Sequence, residues 1–186
     1  FQRANRGIVL EVTTSNSLLN LTKRDADVAI RPVADVPQDL IGRRICNVAF
    51  AIYDSVARAA DREKGTTELS HQSWVAPDDT LAGTSVARWG NSSLPEASIV
   101  ARLDSLLAVR ELCAAGTGLA ALPCYLGDQD ERLVRVRPPV PEMTTALWVL
   151  THPDLMRTAR VRLFVEFTVS ALRTQRMLFE GQRPRL

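Results

Sequence analysis

Residues 98–125 constrain the fold more than any other stretch, because the start signals of a helix follow directly behind a strand-like run. The run 99–103 is mostly apolar and ends at Asp104 and Ser105. Both side chains favour the N-cap of a helix, since their oxygens accept hydrogen bonds from first-turn N–H groups. Apolar residues then recur at helical spacing. The pattern predicts a strand followed by a capped helix.

The end of that helix and the element after it are marked as well. Gly116 predicts a helix stop in the left-handed conformation, which costs a residue with a side chain more. The run 119–122 predicts a buried strand, which Pro123 cannot simply continue. Strand, helix and strand together predict a β-α-β unit of a parallel sheet. Open sheets of this kind bind ligands at the carboxyl ends of their strands.

The first part of the chain predicts a second β-α-β unit. The runs 8–12 and 28–30 are expected to be strands, with a short helix over 17–24 between them. Residues 40–53 predict one long strand or two broken ones. The other predicted elements, in chain order, are a helix over 54–62, a brief strand at 74–75, a helix over 84–89, strands over 133–136 and 144–150, and a long helix from residue 158.

Composition is that of an ordinary globular protein. Of the 186 residues, 46% are hydrophobic and 24% charged, enough for one domain or two small lobes. The net charge of +2 is too near zero to predict attraction to nucleic acids or membranes. No apolar run approaches the roughly 20 residues that span a bilayer. The three cysteines lie far apart and predict buried, reduced thiols in a cytoplasmic protein.

Four stretches, in matching order and spacing, resemble the effector-binding domain of LysR-type transcriptional regulators. They are residues 25–32, 40–45 with 51–55, 102–106 with 114–128, and 147–155 with 159–162. The resemblance implies an α/β fold of two lobes, like the type 2 periplasmic binding proteins, with two mixed, mainly parallel sheets and crossover strands. The implied divisions are lobe I over 1–52, lobe II over 53–150, and a return to lobe I with a C-terminal helix over 151–186.

The resemblance also implies a function and partners. A small-molecule effector, carboxylates among the candidates, would bind in the cleft between the lobes. The domain would form a homodimer or a tetramer in the cytoplasm, with no membrane contact. DNA would be contacted by an N-terminal winged helix-turn-helix, which is absent from this chain, as is the first strand of lobe I. No catalysis and no cofactor are implied.

Arg31 is the candidate binding residue that the sequence singles out most clearly. At the end of a predicted parallel strand, its guanidinium could form two hydrogen bonds with a carboxylate. A solvated arginine, or an ion pair with Asp27 or Asp35, is an equally supported alternative. Pro32, directly after it, is included in the candidate site. Tyr53, at the expected crossover, could line the cleft or pack in the core.

Helix N-termini supply further candidates, because their N–H groups and dipoles attract anions. Capping alone explains these residues, but the resemblance places family effectors against the same turns. The candidates at such turns are Thr14, Ser15, Asp104 and Ser105, and Thr117 and Pro123 complete the set from the central unit.

Other chemistries have weaker support in the sequence. Residues 116–121 fit the G-x-G-x-x-A pattern but follow a helix and open a strand, the reverse of a dinucleotide site. No closely spaced pair of His or Cys predicts a metal site. Cys124 with His152 leaves an enzyme as an alternative, although neither lies in a context typical of a nucleophile. A solute-binding protein of a transport system, with the same fold, is the other alternative.

Overall fold

The computed structural model describes residues 1–14, 26–61, 68–94 and 98–182, whose contacts divide the chain into two compact units. Unit 1 contains Phe1–Asn47 and Thr145–Arg176, and unit 2 contains Val48–Thr144 and Met177–Leu186. The chain therefore passes from one unit to the other three times, after residues 47, 144 and 176. The divisions expected after residues 52 and 150 fall inside two strands, Phe50–Ser55 and Thr145–Thr151.

Unit 1 is built on a three-stranded sheet. Its strands are β1 (Val28–Val33), β2 (Ile41–Val48) and β8 (Thr145–Thr151), in the order β1-β8-β2. β1 runs antiparallel to β8, with Val33 opposite Ala146. Leu40 and Leu150 are the buried centre of a small hydrophobic cluster beside this sheet.

A long helix, α5 (Ala159–Thr174), belongs to unit 1 and confirms the element predicted from residue 158. Thr158 is its N-cap residue. The buried side chains of α5 recur at helical spacing, so the helix presents one apolar stripe inward. They are Val161, Val165, Thr168 and Val169.

The β-α-β unit predicted for the first part of the chain is only partly present. Residues 8–12 form no strand, and Val9 and Val12 are 89% and 80% exposed, so this apolar run is not buried. The strand predicted at 28–30 is confirmed as β1, and the helix predicted over 17–24 lies outside the described residues. β1 takes its partner from β8, far along the chain, and local sequence signals contain nothing about so distant a neighbour.

Unit 2 contains the remaining elements. In chain order they are β3 (Phe50–Ser55), α1 (Val56–Asp61), β4 (Ser73–Pro77), α2 (Ser85–Ser93), β5 (Ser98–Leu103), α3 (Leu106–Ala114), β6 (Ala120–Pro123), α4 (Cys124–Gly127), β7 (Leu133–Arg135) and α6, which runs over Arg176–Phe179 from the last residue of unit 1. The predicted elements over 54–62, 74–75, 84–89 and 133–136 are thereby confirmed. Residues 40–53 form two strands, broken at Ala49.

Among the described strand pairs, β1–β8, β3–β6 and β3–β7 are antiparallel and β4–β5 is parallel. β3 lies between β6 and β7 and is antiparallel to both. β4 and β5 pair in parallel, and an isolated parallel bridge joins Trp74 to Leu119. The core of unit 2 gathers against these strands, with α3 packed onto it. Its most deeply buried members are Ala51, Tyr53, Val75, Val109, Cys113, Ala120, Leu122 and Cys124.

The central stretch forms the predicted strand, helix and strand. Gly116 has a φ of +83°, and its N–H donates to the carbonyl of Cys113 at 2.9 Å. The N–H of Thr117 donates to the carbonyl of Leu112 at 3.1 Å, which completes a Schellman motif at the end of α3. One detail differs from a simple β-α-β unit: β4, which pairs with β5 and bridges to Leu119, lies between β5 and β6.

Candidate functional site

Three strands of unit 2 end at one edge of the unit. β4 and β5 run in the same direction, with Pro77 opposite Leu103, and the N–H of Asp78 donates to the carbonyl of Leu103 at 2.8 Å. The bridge from Trp74 to Leu119 is also parallel, and Leu119 leads directly into β6. The carboxyl ends of β4, β5 and β6 therefore share an edge, which we call the carboxyl edge of unit 2.

Three predicted binding residues lie at the carboxyl edge. Asp104 and Ser105 follow β5 and lead into α3, and Pro123 is the last residue of β6. Pro123 lies opposite Phe50, the first residue of β3, so this edge is next to the point where the chain enters unit 2. The Ser105 side chain makes no capping hydrogen bond, so it leaves first-turn N–H groups of α3 without a side-chain cap from that residue.

Thr117 is not brought together with these residues. It precedes Leu119, whose N–H donates to the carbonyl of Ser73 at the start of β4. A Cβ on the neighbouring Gly116 would lie 3.5 Å from the hydroxyl of Ser55, the last residue of β3. Thr117 is therefore at the opposite edge of unit 2 from Pro123. Thr117 and Pro123 are close in the sequence, but the whole of β6 lies between them and carries the chain from one edge to the other.

On unit 1, Arg31 and Pro32 lie within β1. Arg31 is half-buried, and burial lowers the pKa of its guanidinium from the ordinary value. It is not at the end of a parallel strand, as predicted, because β1 continues to Val33 and pairs antiparallel with β8. Pro32 is exposed and lies opposite Leu147. These residues are close to the first residues of β8, where the chain re-enters unit 1.

Trp148 is a neighbour of Arg31 across the sheet. The two residues are directly opposite each other on β1 and β8, so their side chains project from the same face of the sheet. The indole Nε1 of Trp148 is buried and has no hydrogen-bond partner in the described part of the chain. A buried donor left without an acceptor costs about 1–3 kcal/mol. The strand register, which the sequence does not state, was needed to find this pair.

Tyr53 is in the core of unit 2, with 1% of its surface exposed. Its hydroxyl donates to Asp128 Oδ1 at 2.7 Å, and Arg135 Nε donates to the same oxygen at 2.7 Å. A second hydrogen bond joins the Arg135 guanidinium to Asp128 Oδ2. The structure thus favours core packing, the alternative to cleft lining, for Tyr53.

The surroundings within the Tyr53–Asp128–Arg135 cluster raise the pKa of both Tyr53 and Arg135. Burial is the main cause that raises the pKa of Tyr53, and the neighbouring Cys124 and Asp128 raise it further, so the hydroxyl remains a donor. Burial would lower the pKa of Arg135, but its hydrogen bonds with Asp128 and Tyr53 raise it overall. Sequence reasoning missed Asp128 and Arg135, which are 75 and 82 residues from Tyr53 and have no shared motif.

The two candidates at the first turn remain predictions. Thr14 is exposed and belongs to no helix or strand, and no strand precedes it. Ser15 lies outside the described residues.

The cysteines are free and buried, as predicted. Burial and the charge of Asp54 raise the pKa of Cys113 to about 12, and burial also raises the pKa of Cys124. Both thiols therefore remain protonated near neutral pH, which disfavours nucleophilic chemistry. Cys124 is in unit 2 and His152 is in unit 1.

Metal sites and membrane spans have no support in the described part of the chain. It contains no group of three or more His, Cys, Asp or Glu residues that could hold a metal ion. None of its described helices combines the length and hydropathy needed to cross a membrane.

Two α/β units joined by three chain crossings are the architecture of this chain. The family model of the LysR substrate binding domain matches residues 1–173. The chain belongs to this family, the ligand-sensing domains of LysR-type transcriptional regulators, which supports the regulator over the transport alternative. None of the curated proteins compared with the chain matches it.

Solved structures agree with the fold. The chain is similar to the regulatory domain of CrgA, a LysR-type regulator from Neisseria meningitidis, with a TM-score of 0.75 and 22% identity over 92% of this chain and 87% of that one. The effector domain of AmpR from Pseudomonas aeruginosa gives a TM-score of 0.72 and 16% identity, over 94% of this chain and 85% of that one. In a second CrgA structure, the match covers 60% of the longer chain.

Proposed function

We propose that this domain senses a small acidic molecule, for which the carboxyl edge of unit 2 and, separately, Arg31 of unit 1 are the candidate contacts. The observation that carries the proposal is the convergence of the turn after β5 and the end of β6 at one edge, next to a chain crossing. Ligands of open α/β sheets bind at such strand ends. The first turn of α3 adds N–H groups that favour an anion.

Arg31 supplies the positive charge in this proposal. Its guanidinium is half-buried, and its planar fork can donate two hydrogen bonds to one carboxylate. The neighbouring Trp148 Nε1 is a second donor that an acidic group reaching it would satisfy. Thr14, Ser15 and Pro32 complete the proposed contacts. Tyr53 and Thr117 are left out, because Tyr53 is in the core and Thr117 lies at the other edge.

In the complete regulator, we propose that the domain forms a dimer, that an N-terminal winged helix-turn-helix binds DNA, and that the protein works in the cytoplasm. The effector would act through its different affinities for two arrangements of the protein, which biases the attached DNA-binding domains. The domain would bind its effector without chemical conversion, in keeping with the protonated thiols of Cys113 and Cys124.

A ligand screen tests the acidic effector. We expect at least one member of a panel of small aliphatic and aromatic carboxylates to raise the melting temperature of the chain, because a ligand that binds only the folded state stabilises it. Isothermal titration calorimetry of that acid should then give a Kd about tenfold or more weaker for Arg31→Ala, since a charged hydrogen bond contributes about 1.5–3 kcal/mol.

Arg162→Ala is the matched control, because Arg162 is exposed on α5. An unchanged Kd in Arg31→Ala, or an equal loss in both variants, would refute the role of Arg31. A panel with no hit at all would count against an acidic effector.

A further inference from the structure

The C-terminal residues 177–182, which we call the C-terminal strap, are seated on unit 2 by three kinds of contact. The strap contains most of α6 and the turn that follows it. The carbonyl of Phe179 accepts a hydrogen bond from the N–H of Ala49 at 2.9 Å. The rings of Phe179 and Tyr125 are 5.1 Å apart, and the carbonyl of Gly181 accepts a hydrogen bond from Arg135 at 2.9 Å.

The turn at the end of the strap requires glycine. Gly181 is buried and has a φ of +68°, and its N–H donates to the carbonyl of Leu178 at 3.2 Å. The N–H of Gln182 donates to the carbonyl of Met177 at 2.8 Å, which makes a Schellman motif. A Cβ at Gly181 would lie 2.8 Å from the sulfur of Cys124, closer than atoms pack. The strap therefore fits against unit 2 in one specific conformation.

Arg135 is a prepared anchor for this turn. Both oxygens of the buried Asp128 carboxylate orient its guanidinium, and Tyr53 donates to one of them. A side chain held in place in this way loses little conformational freedom when it also binds the carbonyl of Gly181. The Tyr53–Asp128–Arg135 cluster thus stabilises the strap as well as the core of unit 2.

Hydrogen bonds of a single residue also connect the strap to the carboxyl edge of unit 2. Ala49 donates its N–H to Phe179 of the strap, and its carbonyl accepts from the N–H of Cys124, the residue after Pro123, at 2.8 Å. Ala49 separates β2 from β3, at the first chain crossing. Residue 176, directly before the strap, is the last residue of unit 1 and is two positions beyond α5.

We propose that the C-terminal strap is a conformational latch: when seated, it holds the end of β6 at the carboxyl edge, and its release loosens that edge. Only Gln175 separates the end of α5 from α6, so the strap follows the last helix of unit 1 closely along the chain. The proposed effect of the latch on ligand sensing rests on the proposed effector site, whereas the coupling between the strap and the end of β6 does not.

Amide hydrogen exchange on the 186-residue chain, without any ligand, tests the latch. In Gly181→Ala, whose new Cβ opposes both the positive φ and the Cys124 sulfur, we expect the amides of Ala49 and Cys124 to exchange at least tenfold faster. The amide of Leu150 in unit 1 should be unchanged. The acceptor of the Cys124 amide is Ala49 and not the strap. Because the new Cβ of Gly181→Ala also meets the Cys124 sulfur, the same acceleration must appear in Phe179→Ala, which removes the ring contact with Tyr125 and adds no atom.

Gly7→Ala is the control, since a Cβ at Gly7 meets nothing within 4 Å. Faster exchange at Ala49 with unchanged exchange at Cys124 would overturn the latch, because the strap would then be a tail with no effect on the edge. If Gly181→Ala does not fold, hydrogen exchange of the unmodified chain in low denaturant is the test. The proposal requires one shared free energy of opening for the amides of Ala49, Cys124 and Gly181, and separate values refute it. A ligand screen without a hit would leave these results standing.

Discussion

At the scale of single residues, Tyr53 shows how one polar atom can change the role of a side chain. Its position at the crossover suggested a binding residue, but its hydroxyl is buried and bonded to Asp128. The ring occupies the core, and the hydroxyl completes the hydrogen bonding of a buried ion pair. A buried carboxylate with one partner fewer is expensive, because the lost hydrogen bond cannot be replaced by water.

Removing that hydroxyl should therefore destabilise the fold. We expect Tyr53→Phe to lower the free energy of unfolding by about 1–3 kcal/mol, measured by urea denaturation, because Asp128 loses a buried donor. Tyr125→Phe is the control, since the described residues offer no hydrogen-bond partner to the Tyr125 hydroxyl. It should change the free energy by less than about 0.5 kcal/mol. Equal effects of the two substitutions would contradict the role given to the Tyr53 hydroxyl.

Arg31 and Trp148 show a different case at the same scale. The type of residue at position 31 was informative, since an arginine can bind a carboxylate with two hydrogen bonds. Its surroundings were not predictable, because Trp148 becomes its neighbour only through the pairing of β1 with β8. The sequence interval between them is more than half the chain, and no local signal spans it.

At the scale of elements, the helix ends follow the local rules most closely. Gly116 was predicted to end α3 in a left-handed conformation, and the φ of +83° confirms it. The N-cap was less regular, because Ser105 has the N-cap position but does not cap with its side chain. Local signals thus located both ends of the helix, while the side-chain contact at its start was decided by the surroundings.

Two glycine substitutions of opposite sign test this interpretation. Gly116→Ala should lower the free energy of unfolding by about 1 kcal/mol or more, because a left-handed conformation is unfavourable for a residue with a Cβ. Gly90→Ala, inside α2 with nothing within 4 Å of the new Cβ, should raise it by about 0.5–1 kcal/mol. Both values come from urea denaturation monitored by circular dichroism. If Gly90→Ala lowers the free energy of unfolding as Gly116→Ala does, helix propensity does not determine the effect at position 90.

At the scale of the whole molecule, the division into two units is matched by a division of the buried apolar side chains. Each unit has its own cluster of buried apolar side chains, with Leu150 in unit 1 and Leu122 in unit 2. A cluster confined to one unit stabilises that unit first. We therefore expect local opening of one unit to leave the hydrogen bonds of the other unit in place.

A pair of cavity-forming substitutions tests this independence. Leu150→Ala should increase amide exchange in β1 and β8 while β3 and β6 are unaffected, and Leu122→Ala should give the reverse pattern. Each is expected to destabilise its own unit by about 2–5 kcal/mol, because both side chains are fully buried. Native-state hydrogen exchange measures the opening of each strand. If either substitution accelerates exchange equally in both units, the molecule opens as one body.

The sequence by itself determined the features that depend on neighbours along the chain. Helix starts and stops, the apolar stripe of α5 and the family resemblance are of this kind, because backbone conformation and hydrophobic periodicity act over a few residues. It failed at residues 8–12, which form no strand and in which Val9 and Val12 are exposed.

Only the tertiary structure decided which strands pair and which polar groups meet. β4 lies between β5 and β6, Thr117 and Pro123 are at opposite edges, and the Tyr53–Asp128–Arg135 cluster binds the carbonyl of Gly181. Strand pairing and buried hydrogen bonds depend on contacts between distant residues, and their energies exist only when the chain has folded. For this reason the class of the protein could be predicted from its sequence, whereas the arrangement of the carboxyl edge of unit 2 and of the C-terminal strap could not.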